Sequence, residues 1–142
     1  MKLNLVKTAD ELRACFPVMA QLRTTLTEDK FFTQVSIQQK EGYQLAYIQV
    51  DGAIVAVAGF RIMHNLAYEK FLYVDDLVTD EKNRSKRYGD KLFDFLIEFA
   101  KKEKCNRFHL DSGVHRFDAH RFYLRKRMDI VCHHFGLKVS ID

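Results

Sequence analysis

Cysteine, proline and tryptophan are scarce in this sequence: among 142 residues there are three cysteines, one proline and no tryptophan. Cys15, Cys105 and Cys132 are an odd number without metal-binding spacing, so we expect reduced thiols rather than a disulfide framework. The six histidines also lack the spacing of metal ligands, and we assign no metal site. The single proline, Pro17, lies in a helical pattern that it either kinks or restarts, because it has no N–H to donate.

Long apolar runs are also missing. The longest uninterrupted apolar run in the middle of the chain, Ala53–Ala58, is far too short to span a bilayer. Residues 1–6 alternate in the manner of a strand and do not form the apolar core of a signal peptide. We therefore expect a soluble, cytoplasmic protein without membrane attachment.

Length and charge limit the class of protein further. A chain of 142 residues with 47% hydrophobic content is long enough to bury a core. No repeat, linker or low-complexity segment divides it, so we predict one globular domain over residues 1–142. The net charge of +4 permits anionic ligands but is small for a nucleic-acid-binding protein.

Hydrophobic periodicity predicts an α/β protein. The predicted strands are Leu3–Val6, Tyr43–Val50, Ala53–Met63, Phe71–Thr79, Arg107–Asp111 and Asp129–Val139. The predicted helices begin at Thr8 or Asp10, at Thr27 and at Tyr88, and a short fourth helix spans Asp118–Lys126. The Asp51-Gly52 dipeptide favours a tight antiparallel hairpin, whereas a helical connection makes Arg107–Asp111 parallel to Phe71–Thr79. We expect a mixed, mostly antiparallel sheet with helices on both faces.

A strand, a basic loop and an amphipathic helix follow one another over residues 72–103. The loop carries four basic side chains, Lys82, Arg84, Lys86 and Arg87, and Gly89 stands where the helix begins. The first turn of a helix offers unpartnered N–H groups at the positive end of the dipole, and a glycine lets an anion approach the backbone. The loop is therefore either a phosphate-binding site or a solvated basic turn.

Two adjacent acids, Asp75 and Asp76, interrupt the apolar Phe71–Thr79 strand. Neighbouring strand residues point to opposite faces, so at least one carboxylate is expected in or beside a cavity if helices cover both faces. A buried carboxylate needs a partner or acquires a raised pKa. Either acid could act as a base toward an amine, with Asp76 favoured. The alternative is that one acid caps a loop and the other pairs with a lysine.

Two motifs carry a resemblance to a known family. Arg84-Ser-Lys-Arg-Tyr-Gly89 resembles the pyrophosphate-binding loop of GNAT-superfamily N-acetyltransferases, usually written Gln/Arg-x-x-Gly-x-Gly/Ala. Ala119-His-Arg-Phe-Tyr123 resembles the late helix of that family, which carries a tyrosine near the acetyl-CoA sulfur. The resemblance spans roughly residues 44–137 and implies the GNAT-like acyl-CoA N-acyltransferase fold. Arg87 departs from the pattern, because the family usually has glycine there. A positive φ would strain Arg87, and otherwise its charge would add to phosphate attraction.

The resemblance implies roles for individual residues. The implied cofactor-binding residues are Leu77, Val78, Arg84, Ser85, Lys86, Arg87, Tyr88 and Gly89. A backbone amide at Leu77 or Val78 would hydrogen-bond the thioester carbonyl. Tyr123 would hydrogen-bond or protonate the leaving thiolate. The role of Asp76 or Asp75 as base rests on the strand argument above and not on the resemblance.

We therefore predict an acetyl-CoA-dependent N-acetyltransferase that acts on a primary amine by direct attack in a ternary complex. The acceptor would be a small-molecule or peptide amine, with acetyl-CoA as co-substrate and no metal. One alternative is a basic nucleic-acid-binding module, whose surface is diluted by Asp80, Glu81, Asp90 and Asp94. Another is a degenerate domain that binds CoA as a regulatory ligand. A homodimer is compatible with the sequence, which leaves the oligomeric state open.

Overall fold

The computed structural model describes residues 1–140, which form two compact units. The first unit is Met1–Leu110 and contains the sheet, and the second begins at Asp111 and contains one helix. The single domain expected over residues 1–142 stays a prediction. Among the helices in this described part of the chain, none is long and apolar enough to cross a membrane.

The first unit is built on a five-stranded sheet with the order β1-β2-β3-β4-β5. Its strands are β1 (Lys2–Leu5), β2 (Gln44–Val50), β3 (Ala53–Asn65), β4 (Glu69–Thr79) and β5 (Arg107–Leu110). Its helices are α1 (Ala9–Leu22), α2 (Glu28–Gln39) and α3 (Tyr88–Lys102), with a short 3-10 turn at Glu81–Asn83. Strands β1 to β4 are antiparallel and β5 is parallel to β4, which confirms the predicted mixed, mostly antiparallel sheet.

Apolar side chains cover both faces of this sheet. One core cluster joins α1 and α2 to the sheet and includes Leu12, Met19, Phe31, Tyr47 and Val57. The other joins α3 to the sheet and includes Ile48, Phe60, Leu72, Leu92 and Leu96. Each fully buried side chain of this size contributes about 1.5–3 kcal/mol to the stability of the fold. Because α1 and α2 pack in one cluster and α3 packs in the other, helices lie on both faces of the sheet, as the sequence predicted.

Local sequence signals determine where the helices and the hairpin begin. The Thr8 side chain accepts from the Glu11 N–H while the Glu11 carboxylate accepts from the Thr8 N–H, a complete capping box before α1. The helix then runs through Pro17 without ending there. Between β2 and β3, Asp51 and Gly52 have φ of 50° and 82°, the left-handed backbone of a tight hairpin turn.

The second unit contains the helix α4 (Phe117–Arg125), close to the predicted Asp118–Lys126. The strand predicted at Asp129–Val139 is wrong, because residues 129–140 have no regular secondary structure. A strand is stable only where a neighbour accepts and donates its backbone hydrogen bonds. Within the described chain, residues 129–140 make no backbone–backbone hydrogen bond, and Phe135 and Leu137 are each 90% exposed.

Candidate active site

A β-bulge in β4 places the two adjacent acids. Asp76 pairs with Gly59 of β3 and Val74 pairs with Phe60, so Asp75 is the extra residue. A bulge interrupts the alternation of side chains and turns the strand locally. Asp75 and Asp76 consequently line the same cavity, and the expectation that they point to opposite faces is wrong.

The cavity has a volume of about 500 Å³ and lies within the first unit. It is bounded by α1 and the loop after it, by α2, by the residue just before β2 and by the middle of β4. Its lining residues are Met19, Arg23, Thr25, Leu26, Phe31, Gln34, Val35, Gln38, Tyr43, Tyr73, Asp75 and Asp76. A volume of this size is typical of sites for small molecules. The acids thus lie in a mixed apolar and polar cavity, on the α1–α2 face of the sheet.

Asp75 is paired with an arginine of the neighbouring strand. The Arg61 Nη2 donates to Asp75 Oδ1 at 2.7 Å and the Arg61 Nε donates to Oδ2 at 3.0 Å, a two-pronged contact. Both side chains are largely buried, with 23% and 16% of their surfaces exposed. Burial raises the pKa of Asp75, and the Arg61 guanidinium opposes that rise.

Asp76 is held by two other groups. The Tyr43 hydroxyl donates to Oδ2 at 2.7 Å, and the Arg23 Nε donates to Oδ1 at 3.0 Å. Arg23 also donates from Nη2 to the backbone oxygen of Asp75 at 2.8 Å, which ties the loop after α1 to the bulge. Burial, with the adjacent Asp76 carboxylate second, raises the pKa of Tyr43 well above its usual value, so this hydroxyl stays protonated at neutral pH.

Gly59 makes room for Tyr43. A Cβ at position 59 would overlap the hydroxyl and ring of Tyr43, which is only 4% exposed. The glycine faces Asp76 across the β3–β4 pair, so the tyrosine ring can lie over the strand and reach the carboxylate. The absence of a side chain at Gly59 therefore shapes the floor of the cavity.

Leu77 and Val78 follow the acids at the end of β4. Pairing between β4 and β5 stops at Val74 and Leu110, and residues 76–79 pair with β3 alone among the described strands. The Val78 side chain belongs to the core cluster of α1 and α2, and Leu77 packs against the cluster of α3. Their side chains are thus core, and only their backbone could face a ligand.

The loop after β4 is tied to α1. The Gln21 amide donates to Asp80 Oδ1 at 2.7 Å and its oxygen accepts from the Glu81 N–H at 2.9 Å. The Asn83 amide donates to Asp80 Oδ2 at 2.6 Å. The hydrogen bond from Gln21 leads the effects that lower the pKa of Asp80, which stays ionised. These contacts fix the chain just before the basic loop.

The backbone of the Arg84–Gly89 loop is left-handed at two positions. Ser85 and Arg87 have φ of 71° and 65°, and Lys86 between them is outside that region. Such alternation turns successive N–H groups toward one side, as in anion-binding nests. Arg87 is the N-cap of α3 and makes no side-chain cap; its exposed guanidinium reaches Asp90 Oδ2 at 3.4 Å. Arg87 therefore has the positive φ at which glycine is favoured.

Tyr123 lies on α4 of the second unit, where its ring packs edge-on against Phe122 at 5.6 Å between centroids. Burial raises the pKa of the Tyr123 phenol, and Arg116 opposes the rise. The hydroxyl is therefore protonated at neutral pH and can donate a hydrogen bond. A raised pKa makes proton release harder, which favours a hydrogen-bonding role over complete proton transfer.

Sequence reasoning missed Arg23, Tyr43 and Arg61, the partners of the two acids. One signal was available for Arg61, because it is a lone charge in the otherwise apolar β3 pattern, opposite the acidic strand. Arg23 and Tyr43 are 53 and 33 residues from Asp76 in sequence, and no local pattern marks them.

Comparison with known proteins gives a consistent result. Residues 5–128 match the model of the Acetyltransferase (GNAT) family. The chain is 35% identical over 118 residues to the uncharacterized N-acetyltransferase YhdJ of Bacillus subtilis (strain 168), covering 82% of this chain and 83% of that protein.

Solved structures share the fold at low identity. A ribosomal-protein-alanine N-acetyltransferase from Brucella melitensis biovar Abortus 2308 matches with a TM-score of 0.82 at 16% identity, over 98% of this chain and 100% of that chain. AAC(6')-Iy in complex with a CoA bisubstrate analog matches with a TM-score of 0.84 at 10% identity, over 99% of this chain and 100% of that one. With the family model and the curated relative, the fold leads to one assignment: the chain is an acyltransferase of the GNAT acetyltransferase family.

Proposed function

We propose that this enzyme transfers the acetyl group of acetyl-CoA to a primary amine by direct attack in a ternary complex. The single observation that carries this proposal is the bulge in β4. It presents Asp75 and Asp76 to one cavity, and the same strand continues through Leu77 and Val78 toward the basic loop. In this proposal one short strand segment joins the amine site to the phosphate-binding loop.

The loop fits the phosphates of CoA in three respects. It carries basic side chains, it has left-handed backbone at Ser85 and Arg87, and it leads into α3 without a side-chain cap at the N-cap position. Gly89 in the first turn of α3 adds no side chain that would obstruct an anion. We assign Arg84, Ser85, Lys86, Arg87, Tyr88 and Gly89 to the binding of the pyrophosphate.

When bound, acetyl-CoA supplies a thioester whose carbonyl carbon forms the new C–N bond as its C–S bond breaks. A backbone amide at Leu77 or Val78 would donate to the carbonyl oxygen, and this contact strengthens as negative charge develops there. Among the described strands β5 does not pair with this part of β4, so no strand on that side takes up the Leu77 and Val78 backbone groups.

The proton of the attacking amine has two candidate acceptors. Amines are protonated at neutral pH, so attack requires that a base remove a proton directly or through water. Both carboxylates are engaged at both oxygens, Asp76 by Tyr43 and Arg23 and Asp75 by Arg61, and burial raises the pKa of Asp75 above the usual value of an aspartate, which suits a base. We therefore assign the removal of the amine proton to Asp75 and the orientation of the amine to Asp76. The sequence alone had favoured Asp76 as the base.

The leaving thiolate requires a donor. Tyr123 is the candidate, because its phenol is held protonated by burial. We assign it a hydrogen bond to the leaving thiolate, which stabilises the negative charge as the C–S bond breaks, and the thiolate then takes its proton from solvent. Proteins that share this fold include a ribosomal-protein-alanine N-acetyltransferase and AAC(6')-Iy bound to an acetylneamine analog joined to CoA, and the second supports a ternary complex of amine and cofactor.

A binding experiment tests the cofactor assignment. A ligand at 100 times its dissociation constant stabilises a fold by about 2.7 kcal/mol, which a thermal-shift scan with acetyl-CoA detects readily. Gly89→Val should abolish the shift, because the branched side chain occupies the space of the pyrophosphate. Glu98→Val, at an exposed position of the same helix, is the matched control and should leave the shift unchanged.

The outcomes separate the possible functions. Equal shifts for Gly89→Val and wild type would contradict the assignment of the loop. A shift with single-stranded RNA but none with acetyl-CoA would instead favour nucleic-acid binding. Binding of acetyl-CoA without release of CoA thiol in the presence of any primary amine would favour a regulatory CoA-binding domain.

A further inference from the structure

The charges around the cavity balance. Asp75 is neutralised by Arg61, and Asp76 is neutralised by Arg23, so two carboxylates face two guanidiniums. Glu41 acts on Arg61 only at longer range and does not line the cavity. A site built for a simple cationic amine gains from net negative charge, and the pairing here removes that advantage.

Arg23 is the only guanidinium among the residues described as lining the cavity, and it remains accessible there. Its side chain is 52% exposed, whereas that of Asp76 is 12% exposed. Two of its nitrogens are occupied, Nε by the Asp76 carboxylate and Nη2 by the Asp75 backbone oxygen and Asp76. Within residues 1–140, the third nitrogen, Nη1, makes no hydrogen bond or ion pair, so the guanidinium is held in place with donors to spare.

A guanidinium held this way is suited to an anion. Its planar donors match the oxygens of a carboxylate or phosphate, and less conformational freedom is lost on binding because the side chain is already fixed. Asp75 and Asp76 keep acceptor capacity for the N–H groups of the amine in the same cavity, because each carboxylate oxygen can accept more than one hydrogen bond. The volume of about 500 Å³ limits the acceptor to a small molecule or a short chain end.

We infer that the acceptor is a small amine that also carries an anionic group, with the amine at Asp75 and Asp76 and the carboxylate or phosphate at Arg23. This inference rests on the proposed acetyl transfer and deepens it by naming the class of acceptor. The neutral polar residues Thr25, Gln34 and Gln38 complete the lining without adding charge.

The test uses matched pairs of acceptors with the full-length enzyme and acetyl-CoA. One arm compares α-amino acids with their carboxamides, and the other compares amino-alcohol phosphate esters with the parent amino alcohols. Acetylated products and CoA thiol release give kcat/KM for each compound. We expect the anionic member of an accepted pair to be preferred by about 10- to 100-fold, the range for hydrogen bonds between charged partners.

Arg23→Met makes the test specific. The variant also loosens Asp76, so a general fall in rate is expected for every amine. The ratio of kcat/KM for the anionic and neutral members should fall to near unity. Removing the substrate's anionic group and removing Arg23 have non-additive effects when the two groups are in contact. Arg13→Met removes an exposed arginine of α1, the helix that Arg23 follows, outside the cavity, and should retain the preference.

Each outcome decides between distinct claims. Neutral amines acetylated as well as or better than their anionic partners would overturn the inference and leave acetyl transfer intact. An anionic preference that survives Arg23→Met would overturn the role of Arg23. No product from any primary amine would count against the proposed function itself, and the inference would fall with it.

Discussion

Replacing Gly59 with alanine tests how the floor of the cavity is built. A methyl group at this position would overlap the Tyr43 hydroxyl and ring. Tyr43 is 4% exposed and has little room to move, so either the ring leaves its place or the β3–β4 pair shifts. In both cases the hydrogen bond from Tyr43 to Asp76, now 2.7 Å long, is lost.

The size of the effect follows from two contributions. A hydrogen bond to a charged group contributes about 1.5–3 kcal/mol, and an extra methyl group in a packed site costs about 1–3 kcal/mol. We therefore expect Gly59→Ala to lower the free energy of unfolding by about 2.5–6 kcal/mol. This is a large part of the roughly 5–15 kcal/mol that stabilises a typical protein.

Urea denaturation of four proteins separates the two contributions: wild type, Gly59→Ala, Tyr43→Leu and the double variant. Leucine lacks the outer ring atoms and the hydroxyl, so the added methyl group should cost little in the Tyr43→Leu background. The reasoning is refuted if Gly59→Ala is within about 0.5 kcal/mol of wild type, the usual range for substitutions that disturb nothing. It is also refuted if the alanine costs the same in both backgrounds.

Three further predictions concern the loop, the base and the hydroxyl. Arg87→Gly should raise the free energy of unfolding by about 0.5–1 kcal/mol, because the relief of left-handed strain exceeds the entropy that glycine adds to the unfolded chain; a urea midpoint at or below that of wild type would contradict this. Arg61→Met removes the guanidinium that lowers the pKa of Asp75, so that pKa rises and the acidic limb of the kcat/KM profile should move to higher pH; an unmoved limb would exclude Asp75 as the base. Tyr123→Phe should leave stability and acetyl-CoA affinity nearly unchanged and reduce single-turnover rates by about 10²-fold or more; unchanged turnover would leave Tyr123 a packing role alone.

Local patterns were sufficient for most of the fold. The helix start at Thr8, the Asp51-Gly52 turn and the amphipathic stripe of α3 each involve residues a few positions apart, and each is present in the structure. The parallel pairing of β5 with β4 followed from the length of the helical connection. The predicted strand at Asp129–Val139 failed because its apolar pattern is local, whereas a strand needs a neighbour elsewhere.

The site was harder to predict because its geometry is nonlocal. The two acids were singled out from sequence, but their common orientation depends on a bulge set by the pairing of β4 with Gly59 and Phe60. Their partners Arg23 and Arg61 come from the loop after α1 and from β3. The strain at Arg87 was anticipated as one of two alternatives, and its φ of 65° decides between them.

The measurement that most directly tests the central claim is acetyl-CoA-dependent acetylation of primary amines, followed by mass spectrometry. Wild type is compared with an Asp75→Asn, Asp76→Asn double variant, and a thermal-shift scan with acetyl-CoA checks that each still binds the cofactor. We predict an acetylated amine and free CoA from wild type, and retained cofactor binding with little product from the variant. Product formed at the same rate by both proteins, or by neither, would contradict the assignment of this cavity as the site of acetyl transfer.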